Sequence, residues 1–199
     1  MKYIAFRKLV NVAIFTPQTL KNLGASYTPS QLNSWQTKGY LTKFRNGLYA
    51  FTDLVPTLSP SMIAPYLVTP SYLSLSYALS HHGIIPEAVF TATSVTSKGT
   101  RSYQLAQGNF TYQHLPPSLF FGYTQVQDQP LPYHLAEPEK ALLDFLYLNP
   151  SVKNDQDLSE LRLNLDSIDW PKLNIYSTFF HHVRINNLLK LLEAAHAES

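Results

Sequence analysis

The chain has 199 residues, 45% hydrophobic and 14% charged, with no cysteine and a formal net charge of +2. That size and apolar content suit one or two buried cores and exclude a disordered chain, and the missing cysteines exclude disulfides, thiolate metal sites and a cysteine nucleophile, in keeping with a reducing compartment. The charge is segregated: the first 52 residues contain Lys2, Arg7, Lys8, Lys21, Lys38, Lys43 and Arg45 and no acid, a +7 front against −5 for the remaining 147 residues, which points to a polyanion-facing N-terminal module.

No run of about 18 apolar residues occurs, and the stretch from Leu9 to Phe15 is interrupted by Asn11 and stopped by Pro17, so neither a membrane span nor a signal peptide is expected and the expected location is the cytoplasm. From the N-terminus, Tyr3 to Ala13 reads as a helix with Ile4, Leu9, Val12 and Ala13 near helical spacing. Thr16 can cap a second helix that begins at Pro17, with Phe15 and Leu20 as a hydrophobic staple and Gly24 as its end. The grammar repeats after three or four loop residues: Thr28-Pro29-Ser30-Gln31 is a capping box, Tyr27 and Leu32 are the staple, and Gly39 closes the helix.

Two short helices joined by a tight turn predict a helix-turn-helix, and the next segment predicts a wing. Tyr40 to Phe44 and Leu48 to Phe51 flank Asn46-Gly47, a strong hairpin signal. With those two residues as the loop, Arg45 pairs with Leu48 and Lys43 with Ala50, so Lys43 and Arg45 share an outward face while Phe44, Tyr49 and Phe51 share the packed one. On the third helix Leu32 and Trp35 turn inward and leave Ser30, Asn33, Ser34 and Thr37 outward, flanked by Gln31 and Lys38. Uncharged polar side chains of this kind suit base edges in the major groove, whereas Lys21, Lys38, Lys43 and Arg45 suit phosphates; Asn46 of the hairpin loop completes the expected DNA-binding set. The competing reading is a small winged helix that binds protein through an ordinary solvated face.

A boundary falls near residues 53 to 60, which divides the chain into a winged helix-turn-helix domain (1–55) and a mixed α+β domain (56–199) with C-terminal helices. Helices are expected over Met62 to Val68 and Leu73 to His82, then strands over Val89 to Val95, Ser102 to Ala106, Phe110 to Leu115 and Gly122 to Gln127, with Gln107-Gly108-Asn109 as a hairpin turn. Further helices are expected from Pro138 to Leu148, Leu158 to Leu165, Ile175 to Phe180 and Val183 to His196. In the last, the apolar residues Ile185, Leu188, Leu189, Leu191 and Leu192 could cover the second domain or meet another chain.

Three segments in order carry a family likeness: Gly39-Tyr40-Leu41-Thr42-Lys43-Phe44-Arg45-Asn46-Gly47-Leu48-Tyr49, then Tyr72 to Gly83, then Leu135-Ala136-Glu137-Pro138-Glu139-Lys140-Ala141-Leu142-Leu143-Asp144. Together they resemble AbiEi-type antitoxins of type IV toxin-antitoxin systems, over roughly residues 5 to 150. The resemblance implies a winged-helix repressor of its own operon that binds double-stranded DNA at its own promoter and counteracts a nucleotidyltransferase-like toxin. By residue chemistry alone, Lys140 and Asp144 stand four apart on a helix and read as a surface ion pair of at most about 0.5 kcal/mol.

No catalysis is expected, and no cofactor. The doublets His81-His82 and His181-His182 diverge by about 100° on a helix and do not present two imidazoles to one metal. No P-loop or Gly-x-Ser-x-Gly elbow occurs. Asp128, Glu137, Glu139 and Lys140 offer the residues of a metal-dependent nuclease but not the usual Glu-x-Lys spacing. The remaining alternatives are that nuclease and an orphan winged-helix regulator whose second domain binds a protein or ligand.

Overall fold

The computed structural model describes residues 2–197 and shows a mixed α+β fold with two sheets. Helix α1 (Tyr3–Leu9) buries Phe6 and, just past its end, Val10, while Ile4 is 71% exposed. The expected face through Ile4, Leu9, Val12 and Ala13 is therefore not the packed one. Phe6 has the most apolar surface to bury, and it packs 4.6 Å from Trp35 with Phe15 and Phe51 edge-on. The expected helix also ends early, and the chain straightens into strand β1 (Ile14–Phe15).

Helices α2 (Pro17–Asn22) and α3 (Pro29–Thr37) start as their sequences predict. Thr16 and Thr19, and Thr28 and Gln31, exchange side-chain and backbone hydrogen bonds as capping boxes, each with proline in the first turn. Leu20, Leu32 and Trp35 are buried. The link between the helices is residues 23–28, longer than expected. Strands β2 (Leu41–Arg45) and β3 (Leu48–Phe51) complete an antiparallel sheet of order β1-β3-β2.

The hairpin register corrects the expected facing. Arg45 opposes Leu48 as read, but Lys43 opposes Tyr49, not Ala50, because the ladder is irregular between Lys43 and Arg45. Of the two turn residues only Gly47 has positive φ (73°), so the loop is not the symmetric turn that both residues would tolerate. A one-residue slip exchanges the faces beyond it. Lys43 lies with Tyr49 on the side of the helices and is exposed, whereas Phe44, Arg45, Leu48 and Ala50 turn to the other side. Phe15, Leu41 and Phe51 belong to the small core over α1–α3, while Ile14, Phe44, Leu48 and Ala50 join the large core of the rest of the chain. The small sheet is thus packed on both faces.

The remainder runs through α4 (Pro60–Leu67), β4 (Ser71–Leu73), α5 (Leu75–His81), β5 (Ala92–Thr96), β6 (Arg101–Leu105), β7 (Gly108–His114), β8 (Tyr123–Val126) and β9 (Tyr133–Ala136). Helices α6 (Pro138–Leu148), α7 (Asp155–Glu160), α8 (Trp170–Thr178) and α9 (Val183–Ala197) follow. The six-stranded sheet has the order β6-β7-β5-β4-β9-β8, with β4–β9 and β5–β7 parallel. Strands β4 and β9 are additions to the sequence reading, which took Leu73 into a helix; short apolar runs buried on both faces do not declare their period. Alternate residues show the layers. The Tyr112 hydroxyl donates to the Ala64 carbonyl of α4 on one face at 2.7 Å, and the Tyr72 hydroxyl reaches Asp144 of α6 on the other. Helix α4, buried nearly all round, lies between the two sheets. The apolar face of α9 is internal: Ile185, Leu188, Leu189 and Leu192 are buried, and Arg184 donates to the carbonyls of Leu146, Tyr147, Asn149 and Val152 at the end of α6.

Burial pushes the Tyr112 phenol well above the ordinary tyrosine range, with Tyr103 adding to the rise and Arg45 opposing it. A phenol whose folded-state pKa is raised contributes stability that is complete below the unfolded value, about 10, and is lost as pH climbs past it. The urea midpoint should therefore fall above about pH 10, and Tyr112→Phe should make that fall shallower. An alkaline limb of unchanged steepness in the variant would rule the tyrosine out as its source.

Candidate functional site

Two constellations stand out, one on the surface of the N-terminal unit and one inside the larger core. On α3, Ser30, Asn33, Ser34, Thr37 and the following Lys38 are exposed along the side opposite Leu32 and Trp35. Several of these side chains also serve the helix itself. Ser30 Oγ lies 2.9 Å from Thr28 Oγ1, Gln31 Oε1 accepts the Thr28 amide at 2.9 Å, and Thr37 Oγ1 donates to the Asn33 carbonyl at 3.1 Å. Gln31 is accordingly half-buried and held by the capping box, while Asn33 and Ser34 form the middle of the outward row. A cleft of about 470 Å³ lined by Pro17, Gln18, Lys21, Ala25, Tyr27 and Pro29 separates the starts of α2 and α3.

The cations divide by role. Lys21 on α2, Lys38 after α3 and Lys43 on β2 are exposed and form no ion pair among the described residues. Arg7 stacks 4.1 Å above the Phe51 ring and reaches Asp53 at 3.4 Å. Arg45 departs furthest from expectation. Its guanidinium donates to the carbonyls of Leu67 (3.0 Å), Tyr66 (3.4 Å) and Asn46 (3.0 Å), so it ties the hairpin to the end of α4 instead of facing out beside Lys43. The slipped register is the cause, since it turns Arg45 to the Leu48 side. Asn46 is exposed at the turn, with its carbonyl already accepting from Arg45.

The second constellation joins the segments Tyr72 to Gly83 and Leu135 to Asp144. Leu73 and Leu135 are partners on the parallel strands β4 and β9, and His82 Nε2 lies 2.8 Å from the Ala136 carbonyl oxygen. Lys140 and Asp144 are wholly buried and paired. The surface ion pair expected from their spacing is therefore an interior one. Helix α6 buries every residue from Glu139 to Asp144, which leaves it no solvent face there. Asp144 Oδ2 accepts from the Tyr72 hydroxyl at 2.9 Å and from Ser74 Oγ at 2.8 Å, and Lys140 Nζ donates to Oδ1. Leu75, at φ 57°, adopts a left-handed backbone where β4 turns into α5, directly after Ser74. The Lys140 ammonium lies 5.6, 5.1 and 5.1 Å from the ring centres of Tyr72, Phe121 and Phe180. Gly122 closes the space: a Cβ there would come 3.0 Å from Lys140 Cγ and from Tyr176 Cε2, at φ +68°.

Burial pushes Lys140 below the ordinary lysine range against the pull of Asp144, and pushes Asp144 above the ordinary carboxylate range against Lys140, Ser74 and Tyr72. Both side chains are without solvent exposure, and the pair joins α6 to β4 and the start of α5 inside the core. Nearer the surface, Glu137 accepts from the Tyr176 hydroxyl at 2.6 Å, and Lys172 lies 3.1 Å from both Glu137 and Glu139. Burial alone would lower Lys172, but those two carboxylates outweigh it and hold the ammonium raised. Glu139 Oε1 also accepts the Asp169 amide at 3.0 Å, while Asp128 is exposed and its Oδ1 accepts from the Gln129 amide. No group of three or more His, Asp or Glu residues that could hold a metal occurs among the described residues.

No protein-family model matches this chain, and no curated protein matches it. Among solved structures it is similar to the RV2827C protein from Mycobacterium tuberculosis, with 15% identity, a TM-score of 0.42, and coverage of 96% of this chain and 82% of that one. No helix among the described residues is long and apolar enough to cross a membrane.

Proposed function

We propose that this chain is a sequence-selective DNA-binding repressor whose residues 1–55 act as a winged helix-turn-helix, with α3 as the helix that reads the major groove. The observation that carries the reading is the outward row Ser30, Asn33, Ser34 and Thr37 on α3, uncharged but polar, with the unpaired cations Lys21, Lys38 and Lys43 in the same unit. A major groove about 12 Å wide admits an α-helix; Asn reads adenine bidentately and Ser or Thr serves either base edge or backbone, while lysines neutralise phosphates. Arg45 leaves the proposed contact set because each of its three nitrogens donates to a carbonyl and holds the side chain against the end of α4. Residues 56–199 form the regulatory part in this reading. The resemblance to AbiEi-type antitoxins extends it to autoregulation of an operon and neutralisation of a nucleotidyltransferase-like toxin.

Fluorescence anisotropy against the chain's own upstream DNA tests the reading. Affinity is expected to drop steeply with salt, and Lys38→Ala with Lys43→Ala to reduce the slope of log K against log salt by about one per lysine. Flat salt dependence, or a slope that ignores both lysines, would sink the DNA claim. Co-expression with the neighbouring open reading frame tests the antitoxin part, which fails if the chain relieves no toxicity from an adjacent gene.

A further inference from the structure

Among the first 127 residues only Asp53 and Glu87 are acidic, and they are paired with Arg7 and Arg162 respectively. Acid depletion therefore continues well past the N-terminal unit and through β5, β6 and β7. The cations in that added stretch are Lys98 and Arg101, both exposed and in no ion pair among the described residues.

Their position follows from the sheet register. Leu73, Ser94, Tyr112 and Arg101 form one row across β4, β5, β7 and β6. Residues directly opposite on neighbouring strands point to the same face. Arg101 therefore shares the face of Tyr112, whose hydroxyl bonds α4 at Ala64, and α4 is the helix whose final carbonyls hold Arg45 of the hairpin. Helix α6, with its acids, meets the opposite face through Tyr72.

The loop that carries Lys98 is fixed at the same end. Thr96 Oγ1 donates to the Pro70 carbonyl at 2.6 Å, three residues beyond Leu67, where Arg45 is bound. The Lys98 amide in turn donates to Thr96 Oγ1 at 3.2 Å, and the Lys98 carbonyl oxygen lies 3.0 Å from His114 Nδ1. The His114 amide donates to Thr100 Oγ1 at 3.3 Å. Arg101 thus stands on an edge strand, on the sheet face that meets α4, and Lys98 on a braced loop that leads into the same strand, neither in an ion pair among the described residues.

We infer that Lys98 and Arg101 form a second phosphate-contacting element, which grips the backbone of the same DNA duplex that α3 enters and extends the contact beyond the N-terminal unit. This rests on the DNA reading above. Each cation that neutralises a phosphate adds about 0.9 to the salt slope of binding to duplex DNA.

The test uses the full chain and a duplex of about 30 base pairs from its upstream region, roughly three helical turns, titrated by anisotropy over a range of salt. Lys98→Ala with Arg101→Ala should lower the salt slope by about two and weaken binding at every salt tested. Lys98→Gln with Arg101→Gln, which keeps polar stems, gives the same readout if the alanine variant loses its fold. A slope unchanged in these variants while Lys38→Ala with Lys43→Ala lowers it would overturn this inference and leave the DNA reading standing. Absence of salt-dependent binding by the unaltered chain would overturn both.

Discussion

Asp144→Ala is expected to lower the unfolding free energy by about 3–5 kcal/mol, the cost of leaving a buried charge without its partner. The carboxylate accepts three donors at once, from Lys140, Tyr72 and Ser74. Its removal leaves the Lys140 ammonium with only ring faces around it, and strands two hydroxyls at about 1–3 kcal/mol each if nothing replaces their acceptor. Cation–π attraction to Tyr72, Phe121 and Phe180 recovers about 2 kcal/mol at best, so the balance stays strongly unfavourable. In a chain of this size the melting temperature should fall on the order of 10 °C. Asp144→Asn, which keeps an acceptor for the hydroxyls but loses the charge, should fall between. Lys140→Met combined with Asp144→Leu should recover part of the loss, because removing both charges abolishes the desolvation cost while Tyr72 and Ser74 remain unpaired. A destabilisation by Asp144→Ala below about 1 kcal/mol, the scale of exposed pairs, would show that the pair reaches water.

Arg45→Ala separates two roles that one basic residue in a hairpin could have. As a tie between the hairpin and α4 it should cost about 1.5–3 kcal/mol, the range for charge-assisted hydrogen bonds, by releasing the carbonyls of Leu67 and Tyr66. The salt slope of DNA binding should stay unchanged, since no phosphate contact is lost. Lys43→Ala should do the reverse, leaving urea stability within about 0.5 kcal/mol and lowering the slope. A reduced slope with normal stability in Arg45→Ala would return that residue to the proposed set of phosphate contacts.

Both predictions turn on features that local sequence does not display. The caps of α2 and α3 were legible because every partner lies within three residues: Thr16 meets Thr19 and Thr28 meets Gln31. The inward Leu32 and Trp35 were legible for the same reason, since helix period alone assigns their side. The hairpin was legible as a hairpin but not in its facing, because a single irregularity between Lys43 and Arg45 reverses one strand end and depends on what the strand must pack against. The Lys140–Asp144 pair had a readable signal that spacing alone concealed. The run Ala141, Leu142, Leu143, Phe145, Leu146, Tyr147, Leu148 leaves α6 no polar side on which to place a solvated ion pair. The candidate reading face on α3 was fully legible, whereas the bracing of Lys98 depends on Thr96, Pro70 and His114, distant in sequence.

The sequence by itself determined where α2 and α3 begin, which of their residues turn inward, where the hairpin turns and how charge divides along the chain. These depend on contacts a few residues apart, whose geometry the backbone period sets. Tertiary structure decided the fate of each charge: Arg45 bound to carbonyls, Arg7 stacked on Phe51, Lys140 sealed in the core, and Lys21, Lys38, Lys43, Lys98 and Arg101 left in solvent without ionic partners among the described residues. A side chain's charge is written in its residue type, but whether that charge meets water, a carbonyl or a buried carboxylate depends on which distant segments pack around it.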